Sequence, residues 1–185
     1  MTGVGVRLVC FGCGAEPTGP HPFACPNRGQ GDVDHVIRRE LPPLGEPDRR
    51  HNHPFLRYRQ RLASWHRARA AGWTDEEFVN TVKRLDEAVA RVDGQGFRPA
   101  PVVGLPLAAA ALGVGHVEAL VTAGDVSGSH KARHLFGVAL HLLVSGGPPQ
   151  ELAIASCGNA ALAAAVIARA LGWPLRVFIP TDAPE

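Results

Sequence analysis

Residues 117–180 read VEALVTAGDVSGSHKARHLFGVALHLLVSGGPPQELAIASCGNAALAAAVIARALGWPLRVFIP. Apolar runs of strand length alternate here with longer stretches of helical length and period. Val117–Thr122 is expected as a strand, Ser129–Val144 as a helix and Leu152–Ala155 as a strand. Asn159–Leu171 then reads as a helix and Leu175–Ile179 as a strand. Short apolar strands joined by helical crossovers predict an α/β fold, a parallel open sheet with helices on both faces. The chain stops soon after the last of these strands, so the sheet is expected to be incomplete at the C-terminus.

Working outward, residues 95–185 form the expected α/β domain. It begins with a proline-containing linker, Phe97–Pro101, and an alanine-rich helix over Leu105–Leu112 that Gly113 ends. Residues 54–94 form a helical segment. Phe55, Tyr58, Leu62 and Trp65 fall on one face of a first helix, which Gly72 closes. Thr74-Asp75-Glu76-Glu77 is a capping box that opens a second helix. The stripe Phe78, Val82, Leu85 and Val89 follows, and Gly94 stops it. Residues 1–53 are rich in glycine and proline and read as an irregular, cysteine-containing arm, with Val4–Val9 and Val33–Ile37 expected to form a small hairpin.

The 185 residues are 45% apolar, enough for one domain with a real core, and the net charge of +2 gives no field that argues for nucleic acid or a membrane. Met1–Gly14 shows no charged start followed by a long apolar core, and no stretch reads as a transmembrane helix. The expectation is a cytoplasmic protein with reduced thiols. Of 19 basic residues only Lys83 and Lys131 are lysine, which singles out any place where an amine can do what a guanidinium cannot.

Lys131 is in such a place. In Ser127-Gly128-Ser129-His130-Lys131-Ala132-Arg133 a strand gives way to a helix. Ser127 and Ser129 are N-cap candidates there, and the free N–H groups favour an anion. A partly desolvated amine can attack an aldehyde, although a lysine in a first helical turn is also an ordinary surface charge. A second strand-to-helix junction, Ala155-Ser156-Cys157-Gly158-Asn159-Ala160, offers a small nest of N–H groups suited to a carboxylate, or else a plain tight turn.

Together the two segments resemble the lysine motif and the asparagine loop of the β-family (fold type II, tryptophan-synthase-β-like) pyridoxal-phosphate enzymes. The resemblance covers most of the chain and is strongest over residues 125–180. Upstream, Cys10-x2-Cys13, Cys25-Pro26 and the Asn52–Arg59 stretch are most similar to threonine synthase and its relatives. The resemblance implies a lyase of amino-acid metabolism that works by β/γ-elimination or replacement, with pyridoxal 5'-phosphate held on Lys131 and by Asn159. It implies that Ser156, Cys157, Gly158 and Asn159 receive the substrate carboxylate, and that the full-length form could be a homodimer. Dehydratase-like and cysteine-synthase-like members share the pattern. His130, Ala132 and Ala123-Gly124-Asp125 depart from it, and the glycine-rich phosphate cup of the family's second domain is not found, so this chain is expected to be an N-terminal portion that is inactive alone.

Two readings of a different class stand beside it. One is a non-catalytic half-domain serving interaction or regulation. The other is a zinc-knuckle nucleic-acid binder using residues 1–70. Cys10, Cys13 and Cys25 make three-quarters of a structural zinc site, but Arg28 stands where a fourth cysteine is sought, with His21 and His35 as substitutes. A metal-free turn is the expectation and zinc is judged unlikely. The arginines between Arg57 and Arg69 scatter around their helix, so they read as solvated charges and no nucleic-acid partner is expected.

Overall fold

The computed structural model describes residues 7–18, 24–40, 45–147 and 151–181. His21, part of the Val4–Val9 piece and the last four residues lie outside them. In chain order the elements are β1 (Arg7–Cys10), β2 (Ile37–Glu40), α1 (Pro54–Arg57), α2 (Ala63–Ala70), α3 (Asp75–Asp93), β3 (Val102–Gly104), α4 (Pro106–Leu112), β4 (Glu118–Leu120), α5 (Lys131–Val144), β5 (Leu152–Ala155), α6 (Asn159–Leu171) and β6 (Leu175–Phe178). Short 3-10 turns occupy Arg59–Arg61 and Val126–Gly128.

The longest helix begins and ends where its sequence signals stand. Thr74 Oγ1 accepts the Glu77 N–H at 3.1 Å, and Glu77 Oε2 accepts the Thr74 N–H at 2.6 Å. These reciprocal bonds satisfy two of the donors that a helix start leaves free. At the other end Gly94 turns left-handed, with φ of 85°, a conformation that costs glycine little. Between them Phe78, Val82, Leu85 and Val89 are all buried. The expected first helix is interrupted. It forms α1, a 3-10 turn and α2, and Tyr58 lies at the break, 40% exposed between Arg57 and Arg61 rather than in the core.

Arg59 explains the break. It is buried, and its guanidinium meets Asp75 through Nε and Nη2, both at 2.8 Å. Its Nη1 donates to the Leu56 carbonyl at 2.9 Å and lies 2.9 Å from Asp48 Oδ2. Trp65 Nε1 also donates to Asp75, at 2.8 Å. One arginine therefore ties the loop before α1 to the start of α3. A bidentate partner in Asp75 and a second carboxylate in Asp48 let the charge be buried without being orphaned.

The expected parallel open sheet with helices on both faces does not form. Among the described residues the strands make three separate two-stranded sheets: β1 with β2 antiparallel, β3 with β4 antiparallel, and β5 with β6 parallel. Only the last pair has the expected sense. The Val117–Thr122 strand shortens to β4, which bonds to β3, a three-residue strand between the expected linker and the expected alanine-rich helix. The helices explain the rest. The largest buried cluster joins Phe78, Val82 and Leu85 of α3, Phe136 and Leu140 of α5, and Ala163 and Ile167 of α6. Their apolar stripes are buried on one another, so this is a helix-on-helix core with the β5–β6 ribbon on its side. Most of β6 is exposed, including Phe178, where a second helical layer was expected.

At the centre of that core three rings meet. Phe136 lies 4.4 Å from Phe55 and 4.7 Å from Phe97, centroid to centroid, and Phe55 and Phe97 meet edge-on at 5.3 Å. In the N-terminal arm two strands pair in the register Arg7↔Glu40 to Cys10↔Ile37, displaced from the expected hairpin: of Val33–Ile37 only Ile37 lies in a strand.

Candidate metal centre

The pairing of β1 with β2 sets the geometry of the arm. Residues opposite one another in an antiparallel pair share a face, so Leu8, Cys10, Ile37 and Arg39 lie on one side of the ribbon. Just past Cys10 the chain turns back: the Gly14 N–H donates to the Cys10 carbonyl at 2.9 Å, and the Cys10 N–H donates to Ala15 at 2.8 Å. The Phe11 N–H bonds the Val36 carbonyl at 2.8 Å, which holds this turn against the approach to β2. The two backbones come close enough there that a Cβ on Gly12 would collide with the Asp34 carbonyl oxygen. That crossing brings His35 to the cysteines.

Cys10, Cys13, Cys25 and His35 converge, each offering one ligand atom, and those atoms all lie within 4.8 Å of one another. Cys13 Sγ is 3.6 Å from Cys25 Sγ. His35 Nδ1 is 3.2 Å from Cys25 Sγ and 3.5 Å from Cys10 Sγ. A sulfur–sulfur bond needs about 2.05 Å, so none is formed, and all four cysteines of the chain are free. The separations fit a shared metal ion instead. Tetrahedral zinc with Zn–S of about 2.3 Å and Zn–N of about 2.0–2.1 Å sets its ligands about 3.8 Å apart for S···S and about 3.6 Å apart for S···N.

The expectation that zinc is unlikely is therefore corrected. No fourth cysteine is needed, because β2 carries His35 back to the cysteines from ten residues beyond Cys25. Spacing along the chain could not show this, since the two strands close the site through their register.

The surroundings of the sulfurs push Cys13 and Cys25 in opposite directions. The Asn27 N–H points at Cys25 Sγ at 3.4 Å and Asn27 Nδ2 at Cys13 Sγ at 3.5 Å. The Ala15 N–H stabilises the Cys13 thiolate most, with smaller help from Asn27 and the neighbouring thiols, and lowers that thiol to about 6. Burial raises Cys25 to about 11. Without a cation the cluster thus holds a ready thiolate at Cys13 beside a Cys25 thiol that resists ionising. A divalent ion removes the conflict by drawing off the remaining protons. A cleft of about 580 Å³ runs beside the cluster, lined by Arg28, Arg39, His35 and the apolar Leu8, Val33 and Ile37 among others.

The residues singled out for amino-acid chemistry lie elsewhere. Lys131 is the first residue of α5 and is exposed. The N-cap of α5 is His130 rather than Ser127 or Ser129, and Ser129 Oγ, one residue ahead of it, accepts the Lys131 N–H at 3.3 Å. Ser127 is buried in the left-handed region at φ of 56°, its N–H held by Asp93 Oδ1 at 2.9 Å and its hydroxyl without a partner. Asn159 opens α6 after Gly158, and Cys157, Gly158 and Asn159 are exposed while Ser156 is half-buried. A Cβ on Gly158 would meet open space, so the packing of the chain does not itself demand glycine there. Neither the cleft beside the arm nor the apolar one between α5, α6 and the β5–β6 ribbon is lined by Lys131 or Asn159. These residues leave open ground where an enclosing wall for pyridoxal phosphate would be required, so they do not fit that cofactor by themselves.

Asp125, in sequence only part of a departure from the family pattern, has a structural partner. It is buried and pairs with Arg133, whose Nε donates to it at 2.8 Å, while Arg133 Nη2 bonds the Arg98 carbonyl at 2.7 Å. The pair braces the loop that carries Ser127 and Ser129. No helix of the described residues is long and apolar enough to cross a membrane. No protein-family model, no curated protein and no solved structure matches this chain.

Proposed function

We propose that residues 7–40 bind one zinc ion through Cys10, Cys13, Cys25 and His35, and that this ion is a structural staple of the arm. The observation that carries it is the approach of four soft or borderline ligand atoms to tetrahedral spacing. Four protein ligands leave no open position for water or substrate, which favours a structural role over a catalytic one. Thiolate ligands call for a reducing compartment, in keeping with a cytoplasmic protein. The test is metal content of the purified chain together with cobalt substitution. One equivalent of zinc per chain and the absorption of tetrahedral thiolate-bound cobalt are expected. Absence of both, or undiminished binding in Cys25→Ser, overturns the proposal.

A further inference from the structure

The geometry points to Asp32 as the positioning residue of the metal centre, the group that fixes His35 as a ligand through Nδ1 and keeps Nε2 turned away. The inference rests on the zinc reading above and adds which ring nitrogen binds and what holds it there.

The two sides of the His35 ring have different neighbours. Nδ1 faces two sulfurs, Cys25 at 3.2 Å and Cys10 at 3.5 Å. Nε2 lies 3.1 Å from Asp32 Oδ2. A neutral imidazole carries one proton, and the nitrogen that ligates a metal must be the one without it. A carboxylate that accepts the Nε2 proton therefore leaves the Nδ1 lone pair free, aimed at the cysteines. The same contact holds the ring plane.

Asp32 is itself held. Its Oδ1 accepts the Asp34 N–H at 3.0 Å, which closes a tight turn over Asp32, Val33 and Asp34, just ahead of His35. Its own N–H bonds the Gly29 carbonyl at 3.3 Å, and its carbonyl accepts from Arg28 Nε at 3.0 Å. Gly31, at φ of 79°, supplies the left-handed step that lets the turn form. One carboxylate oxygen thus shapes the backbone and the other orients the ligand. An acid three residues before the histidine carries no such meaning in sequence, because only the turn brings its Oδ2 to the far side of the ring.

The experiment uses the full chain loaded with zinc. Long-range proton–nitrogen correlation of the His35 ring should show a metal-bound Nδ1 and a protonated Nε2. Asp32→Ala should lower zinc affinity, measured by chelator competition, about 10–100-fold. It should also weaken or erase the protected Nε2–H signal. Asp32→Asn keeps an acceptor oxygen at the same place and should restore most of the affinity and the Nδ1 pattern, a rescue that a purely structural role of the charge would not produce. A wild-type spectrum with zinc on Nε2 overturns the inference. So does an Asp32→Ala chain whose affinity and ring pattern are unchanged, while zinc still sits on all four ligands. A wild-type chain that binds no zinc overturns the zinc reading itself and this inference with it. Should Asp32→Ala fail to fold, the wild-type ring pattern and Asp32→Asn still decide.

Discussion

Removing zinc should unfold the N-terminal arm and leave the helical core standing. Among the described residues of the arm the buried apolar side chains are Val9 and the metal ligands Cys10 and Cys25. None of these belongs to the large cluster, which runs from Phe55 to Ile167. A two-stranded ribbon with so little burial is marginal in water. Val9 alone contributes about 1.5–3 kcal/mol, while ordering each backbone residue costs about 1–2 kcal/mol. The metal must make up the difference, and structural zinc in small fingers is worth about 10–16 kcal/mol near neutral pH. At free zinc a thousandfold above Kd, the local stabilisation read by linkage is about 4.1 kcal/mol. The assay is hydrogen exchange, residue by residue, before and after chelation. Protection across β1 and β2 should collapse in the metal-free chain, by roughly a thousandfold if 4.1 kcal/mol is lost. Protection in α3, α5 and α6 should hold. Arm amides that stay protected without metal would refute the reasoning, and so would loss of protection throughout the core.

Three other perturbations probe other parts of the molecule. Phe136→Ala removes the ring that touches Phe55 and Phe97 at a fully buried site, and should cost about 3–5 kcal/mol, read as a lower denaturant midpoint at unchanged slope. Gly12→Ala drives a Cβ into the Asp34 carbonyl, and should weaken zinc binding by about 1–3 kcal/mol, roughly 5–150-fold in chelator competition. Acid should loosen the joint at Arg59. Its guanidinium, and next to it Trp65, hold the Asp75 carboxyl below the usual range, so the stabilisation is present above the free-carboxylate value of about 3.9 and is lost as pH falls through the depressed one. Asp75→Asn should flatten that part of the stability–pH curve, and an unchanged acid limb would exclude Asp75 as its source.

The sequence by itself determined several local elements of this protein, though neither the break at Tyr58 nor the short strand β3. The capping box at Thr74 and the glycine at 94 mark α3 because they satisfy or terminate its own backbone, and such signals need no distant partner. The periods that announced α5, α6, β5 and β6 are likewise properties of single segments. Tertiary structure decided how the strands pair. A strand's composition says that it is half-buried, not which edge it meets, so β4 could be read correctly as a strand and still be assigned to the wrong sheet. The metal centre divides in the same way. Three cysteines at knuckle spacing were visible, but the fourth ligand and its carboxylate depend on the Cys10↔Ile37 register and on the turn at Asp32. A ligand set is a property of distances in space, and a chain determines those only once its strands have found their partners.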